Sequence, residues 1–442
     1  CEGEEPRWLG ESDLASLDSS RTSSSNDITE SLGRATVAKE GRPYSGLRVL
    51  EFTHVWAGPL CGQLLADAGA DVVKIESHGH LDVHRRAGPY AEGTPDINAS
   101  GVWNAQNRGK RSIALNLKDR QGLAIALELV SAADVVIDNF RPGVLSGLGL
   151  SHEAMLARRP GLIGVSISGF GLDEKWRNYP AYGPTMDAIA GLSAATADPL
   201  GRPQAVNGWL PDVSASLFAA VAIASALDSP SSEGRWFDIN ELASTLALLP
   251  EQAEVQSGSG SDDLVRSNGY PGGDICHVLP SRGEDEWVAL RLPALFDERW
   301  VGAVQVVLHM SPDSDVHRSL DVASIVSVQA ATEALSLLTS DLDKSDVARA
   351  LQLAGYEAVP VNAAPDLLND LELTSRDSYV VQKLPGGYEL QSYGSVIRWN
   401  DEPRLARVAP QFGQHTHGVL EEWLDYSRDR LDDLEEQENL FW

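Results

Sequence analysis

The chain has 442 residues, 43% of them apolar, enough to bury one large core or two smaller ones. Its 64 acidic against 35 basic side chains give a formal charge of −29, which repels phosphate backbones and argues against nucleic-acid binding; an anionic small molecule would need basic residues gathered locally against that field. No run approaches eighteen consecutive apolar residues and no basic segment followed by an apolar one opens the chain, so no membrane span or secretory signal is expected and the cytoplasm is the expected location.

Three cysteines, Cys1, Cys61 and Cys276, are far apart and in no CxxC or metal-type spacing, which fits reduced thiols and predicts no metal site. Residues 1–45 are rich in Ser, Glu, Asp and Gly with little apolar periodicity, and read as a mobile extension or a fragment. Order is expected from "GLRVLEFTHVWAGPLCGQLLADAGADVVKIES": a strand over Leu47–Phe52, a turn at Gly58 and Pro59, a helix over about 60–68, and a strand over Asp71–Ile75. That β-α-β unit favours a parallel sheet. Helix followed by strand recurs at "GLAIALELVSAADVVIDNF", and "GLIGVSISGFG" is a further buried strand ending in glycines. The fold class is therefore α/β, with helices on the sheet faces. Neither GxGxxG after the first strand nor GxxxxGK[ST] is present, so no nicotinamide or flavin site is expected.

At "WLPDVSASLFAAVAIASAL", Asp212 precedes fifteen uncharged residues, a pattern that predicts a helix to about Leu227 with Asp212 as its N-cap. "WFDINELASTLALL" reads as a strand passing into a helix, and "QSGSGSDD" as a flexible linker. Beyond it, the alternating "DEWVALRL" and helices near 294–305, 328–338 and 345–354 form a smaller α+β unit. "HTHGVLEEWLDYSRDRLDDLEEQENLFW" reads as helix with an acidic tail.

Eight segments stand in the order found in family III CoA-transferases, the CaiB/BaiF group: the first β-α-β stretch, "NRGKRSIALNLK", "ADVVIDNFRPGVLSGLGL", "SISGFG", "YGPTMDAIAGLS", the Asp212 segment, "AGYEAVPVNAAPDLLND" and "APQFGQHTHGVLEEWL". The resemblance spans roughly residues 46–425. It implies a large Rossmann-like, CoA-binding domain (46–250), a linker (251–265), a small domain (266–365), a return to the large domain with an acidic C-terminal helix (366–442), and an interlocked homodimer. It also implies an acyl-CoA and an organic acid as substrates, with coenzyme A carried as a thioester.

In that family an acid ahead of such a helix is the nucleophile, a role the resemblance gives to Asp212; a helix N-terminus favours the ionised carboxylate that a nucleophile must be. "FTHVWAGP" then places His54, Val55, Trp56 and Ala57 beside the thioester, with Tyr182 also lining the site and His54 not acting as a catalyst. "NGYPGGD" offers Gly272 and Gly273 as a covering loop, with a plain turn as the alternative. CoA's phosphates and adenine suit three basic clusters: Asn107, Arg108, Lys110 and Arg111; His84, Arg85 and Arg86; and Asn139, Phe140 and Arg141.

The family's arginine after "KIE" is Ser77 here and a second is Gly147, so either His78, Arg85 and Arg86 compensate or CoA is held less tightly; Pro211 replaces a usual glycine. The racemase branch of the family uses a His-Asp pair that falls here on Tyr182 and Gly183, which makes a 2-methylacyl-CoA racemase the alternative within the family. A catalytically idle CoA-binding or scaffolding member is the alternative outside catalysis. Asp187 is by default a solvated helix acid. The bulk of Trp56, Phe170, Tyr182 and Trp209 favours an acid larger than formate or oxalate.

Overall fold

Strand β1 (Arg48–Phe52) lies at the centre of the main sheet and is buried along almost its whole length. The computed structural model describes residues 42–172, 175–196, 202–206, 208–229, 231–249, 274–310, 319–384, 387–398 and 407–436. Helix α1 (Ala57–Asp67) leads from β1 to β2 (Asp71–Glu76), and the two strands pair in parallel with Val49 opposite Val72. Four more strands complete the sheet: β3 (Arg111–Ala114), β4 (Val135–Asp138), β5 (Ile163–Ser168) and β6 (Arg235–Asn240). All pairings are parallel and the order is β3-β2-β1-β4-β5-β6, the doubly wound arrangement whose order reverses between β1 and β4.

Successive side chains of a strand point to opposite faces, so β1 sends Val49 one way and Leu50 the other. On the Val49 face pack α1 and the long helix α4 (Leu210–Asp228), through Cys61, Leu65, Ala215, Ala219 and Ile223. On the Leu50 face pack α2 (Arg120–Ala132) and, from the far end of the chain, α9 (Thr416–Leu424), through Ile125, Leu129, Val419 and Trp423. Each leucine, isoleucine or valine among them contributes about 1.5–3 kcal/mol on leaving water, which is why strands covered on both faces read as largely apolar runs. Trp423 Nε1 donates to Asp71 Oδ2 at 2.8 Å and the Ala114 amide to Thr416 Oγ1 at 3.0 Å, tying the returning chain to the β3 edge. Helices α3 (Gly183–Ile189) and α5 (Glu241–Leu246) pack on α4.

A second core forms around the antiparallel sheet β7-β8-β9 (Asp274–Pro280, Trp287–Pro293, Ala358–Val361) and helices α6 (Glu298–Leu308), α7 (Val328–Thr339) and α8 (Lys344–Leu353). Strand β8 alternates as its sequence predicts, burying Val288, Leu290 and Leu292 beneath Trp300. A separate hairpin, β10 (Tyr379–Lys383) and β11 (Glu389–Tyr393), precedes the return. The expected elements lie within a few residues of those observed, but "KRSIA", which the sequence presents as part of a ligand-binding cluster, begins strand β3. The expected extension over 1–45, apart from its last four residues, and the linker over 251–265 lie outside the described residues.

Candidate active site

At the carboxyl ends of the parallel strands, where open α/β sheets bind ligands, lies a cavity of about 840 Å³. His54 and Val55 succeed β1, Ser77 succeeds β2, Leu115–Lys118 succeed β3, Asn139–Pro142 succeed β4, Gly169 succeeds β5 and Glu241 succeeds β6; all line it. The reversal in strand order is stitched by Asn139, whose Oδ1 accepts from the His54 amide at 2.8 Å and whose Nδ2 donates to the His54 carbonyl at 2.7 Å. Burial first, then the Lys74 ammonium, push the His54 imidazole down to about 4, so it faces the cavity uncharged, edge-on to Phe140 at 5.1 Å.

The turn after β1 is strained. Val55 has φ of +66°, a region a β-branched side chain rarely enters and that costs of order 1–3 kcal/mol. Its amide donates to Asp82 Oδ1 at 3.1 Å, and Asp82 is itself buried 3.4 Å from the Lys74 ammonium. The strain therefore persists because a buried ion pair fixes the turn, and the turn carries Trp56 and Ala57 to Asp212.

Asp212 is not the N-cap of its helix. That position is Trp209, also left-handed at φ +52°, and Asp212 is the third helical residue because Pro211 suits the first turn and starts the helix earlier. The Trp209 ring stacks on Trp56 at 5.7 Å. Asp212 is 6% exposed and lines the cavity; the Ala57 amide bonds its carboxylate, while Oδ2 has no partner. Gly183 lies against it: a Cβ there would stand 2.7 Å from Oδ2. Burial raises the Asp212 carboxyl to about 7, opposed by its own and the Ala57 amides and reinforced by Asp187. Asp187 is buried, not solvated, and both its oxygens lack partners. Glu241 is raised to about 8, by burial first and the Asp212 charge second.

The basic clusters separate. Asn139, Phe140 and Arg141 line the cavity. Arg85, Asn107, Arg108, Lys110 and Arg111 do not: they are spent inside the fold. Arg85 makes two 2.7 Å bonds to Glu76 and lies 3.5 Å over the Trp103 ring. Arg108 pairs with Asp67, Lys110 with Glu51 at 3.0 Å, and Arg111 bridges Asp71 and Glu422; Asn107 Nδ2 donates to the Trp103 carbonyl. A buried cation must be paired, and these positions are buried or nearly so. His78, His84 and Arg86 also lie off the cavity wall.

Ser77 and Gly147 do line it, and the cations on its wall are Lys118, Arg141 and Arg177. Lys118 belongs to none of the basic clusters of the sequence, although a lysine at the end of a parallel strand is a signal that recognising β3 exposes. Tyr182 lines the cavity as the N-cap residue of α3. Trp56 is sandwiched behind it between Trp209 and His84. Gly272 and Gly273 lie outside the described residues.

The sheet order and the cavity at its switch point define an open, doubly wound α/β ligand-binding protein. The family model of CoA-transferase family III matches residues 44–416, and the chain belongs to that family of enzymes, which act on CoA thioesters. It is 30% identical over 386 residues to the succinate–glutarate CoA-transferase of Agrobacterium fabrum, covering 86% of this chain and 95% of that one. It is 40% identical over 239 residues to the acetyl-CoA:oxalate CoA-transferase of Acetobacter aceti, covering 53% of this chain and 60% of the other. The crystal structure of a CaiB/BaiF family protein from Brucella suis superposes with a TM-score of 0.74 at 27% identity, covering 87% of this chain and all of that one.

Proposed function

We propose that the chain moves CoA from an acyl-CoA to an organic acid through a covalent intermediate on Asp212. The observation that carries this is a buried carboxylate with one oxygen bonded by the Ala57 amide and the other unpartnered, on the wall of a cavity that Lys118 and Arg141 also line. The free oxygen attacks the thioester carbonyl carbon, the C–S bond breaks, and a mixed anhydride and CoA thiolate result. The thiolate returns to the aspartyl carbonyl, releasing the donor acid and leaving CoA on Asp212. The acceptor acid then reverses these steps. The N-terminal turn of α4 and the Ala57 amide favour the ionised form against its burial.

Lys118 and Arg141 suit the phosphates of CoA in place of the arginines missing at Ser77 and Gly147. Dicarboxylic acids are the substrates we favour, by analogy with the acids named for the relatives. We also propose self-association: α4 leaves Leu217, Phe218 and Val221 42–66% exposed on an otherwise apolar helix, and a second copy is the partner the family resemblance implies. Incubation with succinyl-CoA and hydroxylamine tests the chemistry. An aspartyl hydroxamate mapped to Asp212 by peptide mass spectrometry, absent from Asp212→Ala, is expected; an unmodified Asp212 peptide in a protein that turns over would sink the assignment.

A further inference from the structure

Glu241 is a buried acid to which the steps above give no task. It is the first residue of α5, is 8% exposed, lines the same cavity as Asp212, and its Oε2 has no partner. Helices α3, α4 and α5 pack on one another and carry Asp187, Asp212 and Glu241. Four oxygens of this trio are unpartnered: both of Asp187, Oδ2 of Asp212 and Oε2 of Glu241. Among the described residues no lysine or arginine forms an ion pair with any of the three.

A buried carboxyl facing another carboxylate, with no cation to offset it, keeps its proton near neutrality. The charged group facing Glu241 is Asp212 from α4, which in turn faces Asp187 from α3; His54, Arg177 and Tyr182 stand on the same cavity wall. Protonated, Glu241 is a hydrogen-bond donor in an acidic corner that otherwise repels an incoming carboxylate.

We infer that Glu241 selects the acceptor acid: its carboxyl donates a hydrogen bond to one oxygen of the acceptor carboxylate and presents the other to the thioester on Asp212. This role rests on Asp212 as the nucleophile. The presented oxygen attacks the aspartyl thioester carbon and CoA leaves as thiolate. The thiolate then attacks the acceptor's acyl carbon in the mixed anhydride, the bond to the Asp212 oxygen breaks, and the Asp212 carboxylate is regenerated. The Glu241 proton stays in place throughout. Above its pKa Glu241 becomes an anion and repels the acceptor carboxylate, so the KM for the acid rises towards alkaline pH, while binding of the donor, whose thioester carbonyl is uncharged, changes little.

The test uses the full chain with succinyl-CoA as donor and oxalate, glutarate and L-malate in turn as acceptors, from pH 6 to 9. Glu241→Leu removes the donor at similar volume, and should raise the KM for the acid about ten- to a hundredfold, the loss expected for a hydrogen bond to a charged group. Its KM for succinyl-CoA and its hydroxamate yield at Asp212 should stay within about twofold of wild type, a split that a general structural defect would not produce. Glu241→Gln keeps a donor and cannot ionise, so it should retain the neutral-pH KM for the acid and lose the alkaline rise. An unchanged acid KM in Glu241→Leu, or the same alkaline rise in Glu241→Gln, overturns the role of Glu241. A wild type that turns over without a trapped adduct overturns the nucleophile, and one that turns over none of the three acids removes the reading on which the role rests.

Discussion

Replacing Asp212 by Asn should make the protein inactive and, at alkaline pH, more stable. The carboxyl is raised from 3.8 to about 7 by burial, with Asp187 adding to the shift, so the folded state favours the protonated form. At 1.36 kcal/mol per pKa unit, roughly three units correspond to about 4 kcal/mol held against folding when the group is ionised in both states. This burden is nearly absent below the unfolded value, grows as pH rises, and is complete above about pH 7. The Asn amide keeps an acceptor for Ala57 but puts an unpaired N–H₂ where Oδ2 stood, a cost of about 1–3 kcal/mol. Urea unfolding should therefore find Asp212→Asn about 1–3 kcal/mol more stable than wild type at pH 8, and no more stable at pH 4. A stability difference that stays constant between those pH values would refute the reasoning, because ionisation of Asp212, directly and through its charge on Glu241, supplies the slope.

Gly183→Ala should cost activity more than stability: its Cβ would stand 2.7 Å from Asp212 Oδ2 and 3.1 Å from the Trp209 ring, so kcat should fall at least tenfold for about 1–3 kcal/mol of overpacking, checked by steady-state kinetics and thermal melts. Arg85→Met strands the buried Glu76 carboxylate and should destabilise by about 3–5 kcal/mol, with the KM for acyl-CoA unchanged in the folded fraction. Lys118→Ala and Arg141→Ala should do the reverse, leaving the melt in place and raising that KM several-fold, less so at high salt. Leu217→Asp with Val221→Asp, on the exposed face of α4, should lower the mass seen by light scattering from that of the assembly to that of one chain.

The strands of the main sheet are legible because burial on both faces leaves short β-branched and apolar stretches, such as "VVI" of β4 and "VL" of β1, that need no partner to be recognised. The basic clusters mislead for a physical reason. Arg85, Arg108 and Lys110 look like free cations in the chain, yet their carboxylate partners lie 9, 41 and 59 residues away and meet them only after folding. β3 escapes notice because its four residues begin inside one of those clusters. Asp212 is visible, but not its place in the helix: a short polar residue before an apolar run looks like a cap whether it precedes the first turn or lies within it, and the left-handed backbone of Trp209 decides the matter. Asp187 and Glu241 cannot be seen as neighbours of Asp212, since nothing along the chain marks the packing of α3 and α5 on α4.

The distribution of cavity residues over the sheet has an evolutionary consequence. The segments after β2, β3 and β4 supply Ser77, Lys118 and Arg141, whereas those after β5 and β6 supply Tyr182, Asp212 and Glu241. Under the proposed function, the half of the wall suited to the handle common to every substrate and the half that would meet the variable acid are encoded in separate stretches of the chain. On that reading a lineage can exchange one acid for another by drifting within residues 169–211 and at 241, with Asp212 and the handle's cradle left alone.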